Sequence, residues 1–148
     1  MTSSPLIQFG NAAVPLAALP IRKEWVLEGS PEARAHVLST SADGTATMLI
    51  WDCTAGRFNW IYSFDESVYI LEGSVLLKDH HGSSRVVSAG DTVFFPAGSA
   101  AEWTVDNYVR KVAFMRSTVP SPVVLAIRAV RRLMRVFSRS GAEAPMFG

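Results

Sequence analysis

Residues 65–98 read DESVYILEGSVLLKDHHGSSRVVSAGDTVFFPAG. Short apolar runs alternate there with Glu72-Gly73, Asp79-His80-His81-Gly82, Ala89-Gly90-Asp91 and Pro96-Ala97-Gly98. Glycine allows positive φ and proline presets it, so each run reads as a strand and each cluster as a reversal. The same pattern extends both ways, with strands expected over 46–53, 58–64, 68–71, 74–78, 85–87, 92–95, 102–105 and 108–115. Eight or nine short strands, with turn signals every eight to twelve residues, predict an all-β sandwich or barrel rather than a βαβ fold.

The flanks differ. Residues 1–20 are small and apolar, broken by Pro5, Pro15 and Pro20, and read as an extended arm. Segment 24–28 reads as a short strand before Gly29-Ser30-Pro31, while 33–38 shows no clear period. After Pro120, arginines at 128, 131, 132, 135 and 139 recur at three- and four-residue steps. Val123, Ile127, Val130, Leu133, Met134 and Phe137 form an apolar stripe. Ser121 as N-cap, Pro122 in the first turn, and Gly141 and Pro145 as terminators frame an amphipathic helix. The expected division is an arm (1–23), a β domain (24–118) and a basic helix with tail (119–148).

Composition sets bounds on the class. The chain has 148 residues, of which 49% are hydrophobic and 18% charged, with mean hydropathy +0.20. It can bury a core, and disorder throughout is excluded. A single cysteine, Cys53, rules out an internal disulfide framework. There is no run of eighteen apolar residues to cross a bilayer and no basic, signal-like leader, so a cytoplasmic location is the expectation. Residues 1–120 hold 9 basic and 12 acidic side chains, net −3; residues 121–148 hold five arginines and one glutamate, net +4. An acidic body with a basic tail argues against a nucleic-acid-binding protein.

Glu66 and Gly73, then Gly90, Pro96 and Gly98, match the double motif of cupins. Trp51, Gly56, Phe58, Trp60, Tyr62, Asp65, Glu66, Glu72, Gly73, Gly90, Asp91, Pro96, Gly98, Trp103, Arg110 and Lys111 fit a narrower pattern. With it, the chain resembles the ureidoglycine aminohydrolase-type cupin domain family, firmly over 46–115 and loosely over 24–45. The resemblance implies a cupin double-stranded β-helix, the RmlC-like jelly roll, here with an N-terminal arm and a C-terminal amphipathic helix.

The resemblance also implies where metal ligands would stand: Trp60, Tyr62 and Glu66 in the first motif and Ala101 in the second. Transition metals want imidazole, carboxylate or thiolate donors. Residues 60, 62 and 101 are not histidine. The expectation is therefore no metal and no cofactor. Strand alternation puts Trp60 with Tyr62, Ala101 with Trp103, and Trp51 with Cys53. The expected ligand-binding cavity is Trp51, Cys53, Trp60, Tyr62, Glu66, Ala101 and Trp103, unless these aromatics simply fill the barrel. Glu66 is the candidate catalytic group, as general acid or base; otherwise it is bonded to Tyr62 or to backbone amides. Cys53 reads as a nucleophile or, more simply, as a small buried hydrophobe. Arg57, Arg110 and Lys111 read as anion-binding groups at a mouth, or as surface partners of Asp52 or Asp106.

Three functions follow: a metal-free small-molecule-binding cupin; a metal-dependent hydrolase of a small ureido or amino compound; or a structural or membrane-peripheral module acting through the helix. Expected partners are a small molecule, a second copy in a homodimer paired through Trp25 and the arm, and an anionic membrane surface at the helix, with no nucleic acid.

Overall fold

The computed structural model describes residues 6–138, with side chains up to Arg135 in the final helix. It comprises eight strands and a terminal helix: β1 (Ala17–Ala18), β2 (Val26–Gly29), β3 (Ala33–Thr40), β4 (Ala46–Ile61), β5 (Asp65–Asp79), β6 (Ser84–Ser88), β7 (Thr92–Phe95), β8 (Ala100–Arg116) and α1 (Ser121–Ser138). A 3-10 turn at Lys23–Trp25 precedes β2, where a strand start was expected. All pairings are antiparallel, in the order β1-β3-β4-β8-β5-β6, with β2 on β4 and β7 on β5. This is the jelly-roll architecture of cupins. Residues up to Ser117 form one compact unit, and those from Thr118 form another.

Three pairs of expected strands are in fact single long strands. β4 absorbs 46–53 and most of 58–64 but ends at Ile61, short of the expected Phe64; β5 absorbs 68–71 and 74–78, and β8 absorbs 102–105 and 108–115. The residues between them are bulges, which bend a strand without ending its pairing. The bulge at Thr54/Gly56 decides which side chains face inward. Trp51 and Cys53 point into the barrel before it; Phe58 and Tyr62 are buried after it, one step out of phase. In β5 the phase shifts likewise, from Glu66, Val68 and Ile70 to Val75.

Gly73 lies at that second shift, with φ +75°. A Cβ there would collide with the carbonyl of Tyr108, so no other residue fits without moving β8. Gly90 and Gly98 also have positive φ, but open space around them. Their turns grip the first motif. Gly90 N donates to Ile70 O at 2.9 Å, and Ile70 N donates to Asp91 O at 3.0 Å. At the other end, Gly98 N donates to Tyr62 O at 2.7 Å and Tyr62 N to Ser99 O at 2.9 Å. Ala97 N donates to Asp65 Oδ1 at 3.0 Å. The two motif halves therefore hydrogen-bond each other directly.

The arm lies along its own β3. Ala17 pairs with Ala35, and Gln8 exchanges two hydrogen bonds with the backbone of Thr40. Residues 33–38, without a clear period in the sequence, thereby belong to a strand covered on both edges, by β1 and β4. Helix α1, taken by itself, carries Val123, Ile127, Val130 and Met134 along one side and Arg128, Arg131, Arg132 and Arg135 along the other. The expected contributions of Arg139, Gly141 and Pro145 lie outside the described residues, as does the side chain of Phe137. Among the described residues, no helix is long and apolar enough to cross a membrane.

Candidate functional site

Aromatic side chains occupy much of the barrel. Phe58 and Trp103 are stacked with centroids 6.0 Å apart, and Tyr62 and Phe95 are stacked at 4.2 Å. Trp103 Nε1 donates to Tyr62 Oη at 3.0 Å. This middle layer leaves two spaces. Trp51, Trp60, Tyr62, Glu66, Lys111 and Trp25 help line a cavity of about 310 Å³. Phe95, Ala101, Leu77 and Val93 help floor another of about 370 Å³, with His80 and Arg85 at its edge. The Tyr62–Phe95 stack presents one ring to each.

Only some of the expected cavity residues come together. Trp51, Trp60, Tyr62 and Glu66 line the first cavity; Ala101 lines the second; Trp103 is buried in the layer between. Cys53 is fully buried and lines neither. Burial and the nearby Asp52 charge push its thiol up to about 12, so it is a packed hydrophobe rather than a nucleophile. Aromatics thus fill one layer of the barrel and line an open space beside it.

Among the described residues, Glu66 bonds neither Tyr62 nor backbone amides. Its partner is Lys111, whose Nζ lies 2.7 Å from Glu66 Oε1. Both side chains are 7% exposed. The Lys111 ammonium also sits 4.8 Å from the ring centroids of Trp51 and Trp103. Ring faces are electronegative, so this environment suits a cation after water is removed. Lys111 was expected at a surface mouth; its place inside follows from β8 alternation, which buries Trp103, Val109, Lys111 and Ala113 on one side. That alternation was the available signal. Arg110, next along, faces out toward Asp52 and donates to the carbonyl of Ala12. Arg57 pairs with Glu28 and Glu102, each at 3.2 Å, not with Asp52 or Asp106.

Two further features complete the site. Trp51 Nε1 is the buried side-chain polar atom without a hydrogen-bond partner among the described residues. Trp25 packs edge-on against Trp60 at 5.3 Å, with Arg22 over Trp25 at 5.0 Å at the rim. Trp25, expected in a dimer contact, is thus part of the cavity wall in its own chain. Arg22 was not singled out from the sequence, because an arginine in an irregular segment carries no period to place it.

The donor set does not fit a transition metal. Trp60 and Ala101 offer no ligand atom. Burial, with the Glu66 charge next, holds the Tyr62 phenol well above its usual range, so it stays protonated. Glu66 already has a cation at hydrogen-bond distance. Among the described residues, no group of three or more His, Cys, Asp or Glu could hold a metal. His80 and His81 sit in the turn after β5, where Asp79 Oδ1 accepts from the His81 and Ser83 amides, and His36 is on β3.

Comparison with known proteins agrees with this fold. The family model of the EutQ-like cupin domain matches residues 40–113. The acetate kinase EutQ of Salmonella typhimurium is 34% identical over 76 residues, which are 49% of this chain and 32% of that protein. The match thus spans about a third of the length of the curated relatives. Among solved structures, a protein of unknown function from Pseudomonas syringae pv. tomato is 28% identical with TM-score 0.66, covering 71% of this chain and 46% of that one. An ethanolamine utilization protein Q from Salmonella typhimurium is 25% identical with TM-score 0.53, covering 60% and 72%.

Proposed function

The chain belongs to the EutQ-like cupin domain family, and from that premise we propose that it is a small-molecule-binding cupin that works without a metal. The observation that carries this reading is the Lys111–Glu66 pair, at 2.7 Å, beneath the cavity. In a metal-dependent cupin a carboxylate at this position faces a cation held by histidines. Here a side-chain ammonium stands beside it, clasped between two indoles. The cavity has the dimensions of a small ligand site, mostly apolar with a few polar groups.

The finer likeness to ureidoglycine aminohydrolase cupins belongs to this proposal only as a fold likeness. Its hydrolase chemistry is the rival, and it needs donors at 60, 62 and 101 that are not there. The activity in the relatives' name describes longer chains and is not carried over.

Elemental analysis of protein purified without a metal-affinity step, beside a Glu66→Gln variant, tests the reading. We expect transition metal well below one per chain in both. A stoichiometric metal that disappears in Glu66→Gln would overturn it and restore the hydrolase.

A second reading concerns α1. Every charged side chain in the described helix is an arginine on one side, opposite an apolar stripe. That pattern suits an anionic lipid surface, with apolar residues in the acyl boundary and guanidinium groups at the phosphates. Full-length protein should co-sediment with vesicles containing phosphatidylserine. Binding that persists unchanged when Arg128, Arg131 and Arg132 are replaced by glutamine would sink this reading.

A further inference from the structure

We propose that the Trp51–Lys111 cavity takes a small organic monocarboxylate, its carboxylate accepting hydrogen bonds from Trp51 Nε1 and Lys111 Nζ. The inference rests on the cavity being a ligand site, as proposed above, and adds the chemical class of the ligand.

The first observation is the unspent donor. Trp51 is 4% exposed, lines the cavity, and its indole N–H has no partner among the described residues. A buried N–H without an acceptor is costly, and native proteins rarely leave one so. Its ring edges and faces are already engaged, by Phe58, Trp60 and Trp103 at 5.6 to 6.5 Å and by Lys111 over one face. What it lacks is an acceptor, and Trp51 is one of the residues that line the cavity.

A second observation is the charge count. The charged residues lining the cavity are Arg22, Glu66 and Lys111. Glu66 balances Lys111, and Arg22 makes no ion pair among the described residues. The lining therefore carries one surplus positive charge, at the rim, and complements a single negative charge. Lys111 has three N–H donors and spends one on Glu66. Two residues of the same lining thus bring donors, Trp51 its indole N–H and Lys111 its ammonium, to match the two oxygens of a carboxylate.

Shape supplies the rest. Beyond the polar patch the lining is largely apolar and includes Trp25, Trp60, Leu49, Ile61 and Met115. An apolar or aromatic body of a few carbons packs there, with edge contacts to indoles that are themselves held edge-on. The volume of about 310 Å³ excludes large ligands such as dinucleotides.

Benzoate and benzamide form the test pair, since they share shape and differ in charge. Isothermal calorimetry on the full chain, at low salt, should show benzoate binding about tenfold more tightly than benzamide or better, from charge-assisted bonding. Trp51→Phe keeps a ring and removes the N–H; measured well below its own thermal midpoint, which the smaller ring lowers, it should weaken benzoate by about tenfold. Arg22→Gln, at the exposed rim, should narrow the gap between the two probes. Benzamide binding as well as benzoate, or unchanged benzoate affinity in Trp51→Phe, would overturn the carboxylate assignment while leaving a binding cavity. If neither probe binds at millimolar concentration but neutral indole does, the carboxylate assignment falls and the binding reading stands. If none of the three binds, both fall.

Discussion

Two clusters, each built on a buried carboxylate, lie back to back across the β4–β8 pair. Asp52 pairs with Arg110 and Trp51 with Lys111 in the β4–β8 ladder, so the two clusters are neighbours in sequence and face opposite ways. Outside, the Asp52 carboxylate, 1% exposed, accepts from Arg34 Nε at 3.0 Å, Arg34 Nη2 at 2.6 Å and Tyr108 Oη at 2.7 Å, with Arg110 at 4.0 Å. Inside, among the described residues, Glu66 has one ammonium and Trp51 Nε1 has no partner. The outer carboxylate is saturated by groups that come from β3 and β8, and it ties those strands to β4. The inner cluster keeps donors in reserve. Saturation marks a structural cluster and unspent hydrogen-bonding capacity marks a binding one, although both hold a buried acid beside a base.

The largest effect should come from breaking the inner pair on one side only. Lys111→Met leaves Glu66 buried without a counter-charge and should cost about 3–5 kcal/mol in urea unfolding. Adding Glu66→Gln should recover most of that loss, since replacing a whole buried pair is often close to neutral. If the double variant is no better than the single, the two side chains are not acting as a pair.

Asp52→Ala should come next, at about 2–3 kcal/mol. Arg34 is half exposed, so its orphaned charge can return to water, which makes this loss smaller than the inner one. The outer cluster also has a pH signature. Burial pushes the Asp52 carboxyl up, but the Arg34 and Tyr108 hydrogen bonds and the Arg34 and Arg110 charges outweigh it and hold it below its usual value. A lowered native pKa gives stability that is full above the unfolded value, about 4, and is lost as the pH falls through the native one. The stability gap between the native chain and Asp52→Asn should therefore shrink as the pH is taken below about 4. A gap that stays constant down to pH 2 would show that the ionised form is not what matters.

The smallest effect concerns Cys53, which lies between the two clusters. With its thiol pushed up to about 12 and no exposure, it should resist iodoacetamide at pH 8 in the folded protein and react once unfolded in urea. Labelling of the native state at the rate of a free thiol would place an opening in β4 where the ladder is continuous.

The fold was legible because its two motif halves are held by turn residues. Gly73 has no room for a Cβ, and Gly90 and Gly98 have positive φ, so spacing alone exposes them. Strand alternation correctly grouped Trp60 with Tyr62. It could not reveal that Thr54/Gly56 is a bulge within one strand, because a glycine that bends a strand and one that ends it look alike in sequence. Lys111 was hidden by its neighbour, since Arg110-Lys111 reads as a solvated pair until β8 alternation is followed through Trp103 and Val109. Ala101 fell into the second cavity because the Tyr62–Phe95 stack crosses the barrel. That contact joins residues 33 positions apart, and no local pattern encodes it.

The indoles have a photophysical consequence. The chain contains four tryptophans, and Trp25, Trp60, Trp51 and Trp103 form one unbroken relay with centroid steps of 5.3, 6.1 and 5.6 Å. At such spacing, light absorbed by one ring is shared with the next. The tryptophan emission of the protein thus comes from a single place, and a molecule in the cavity that quenches these rings or changes their polarity reports its own arrival without a dye.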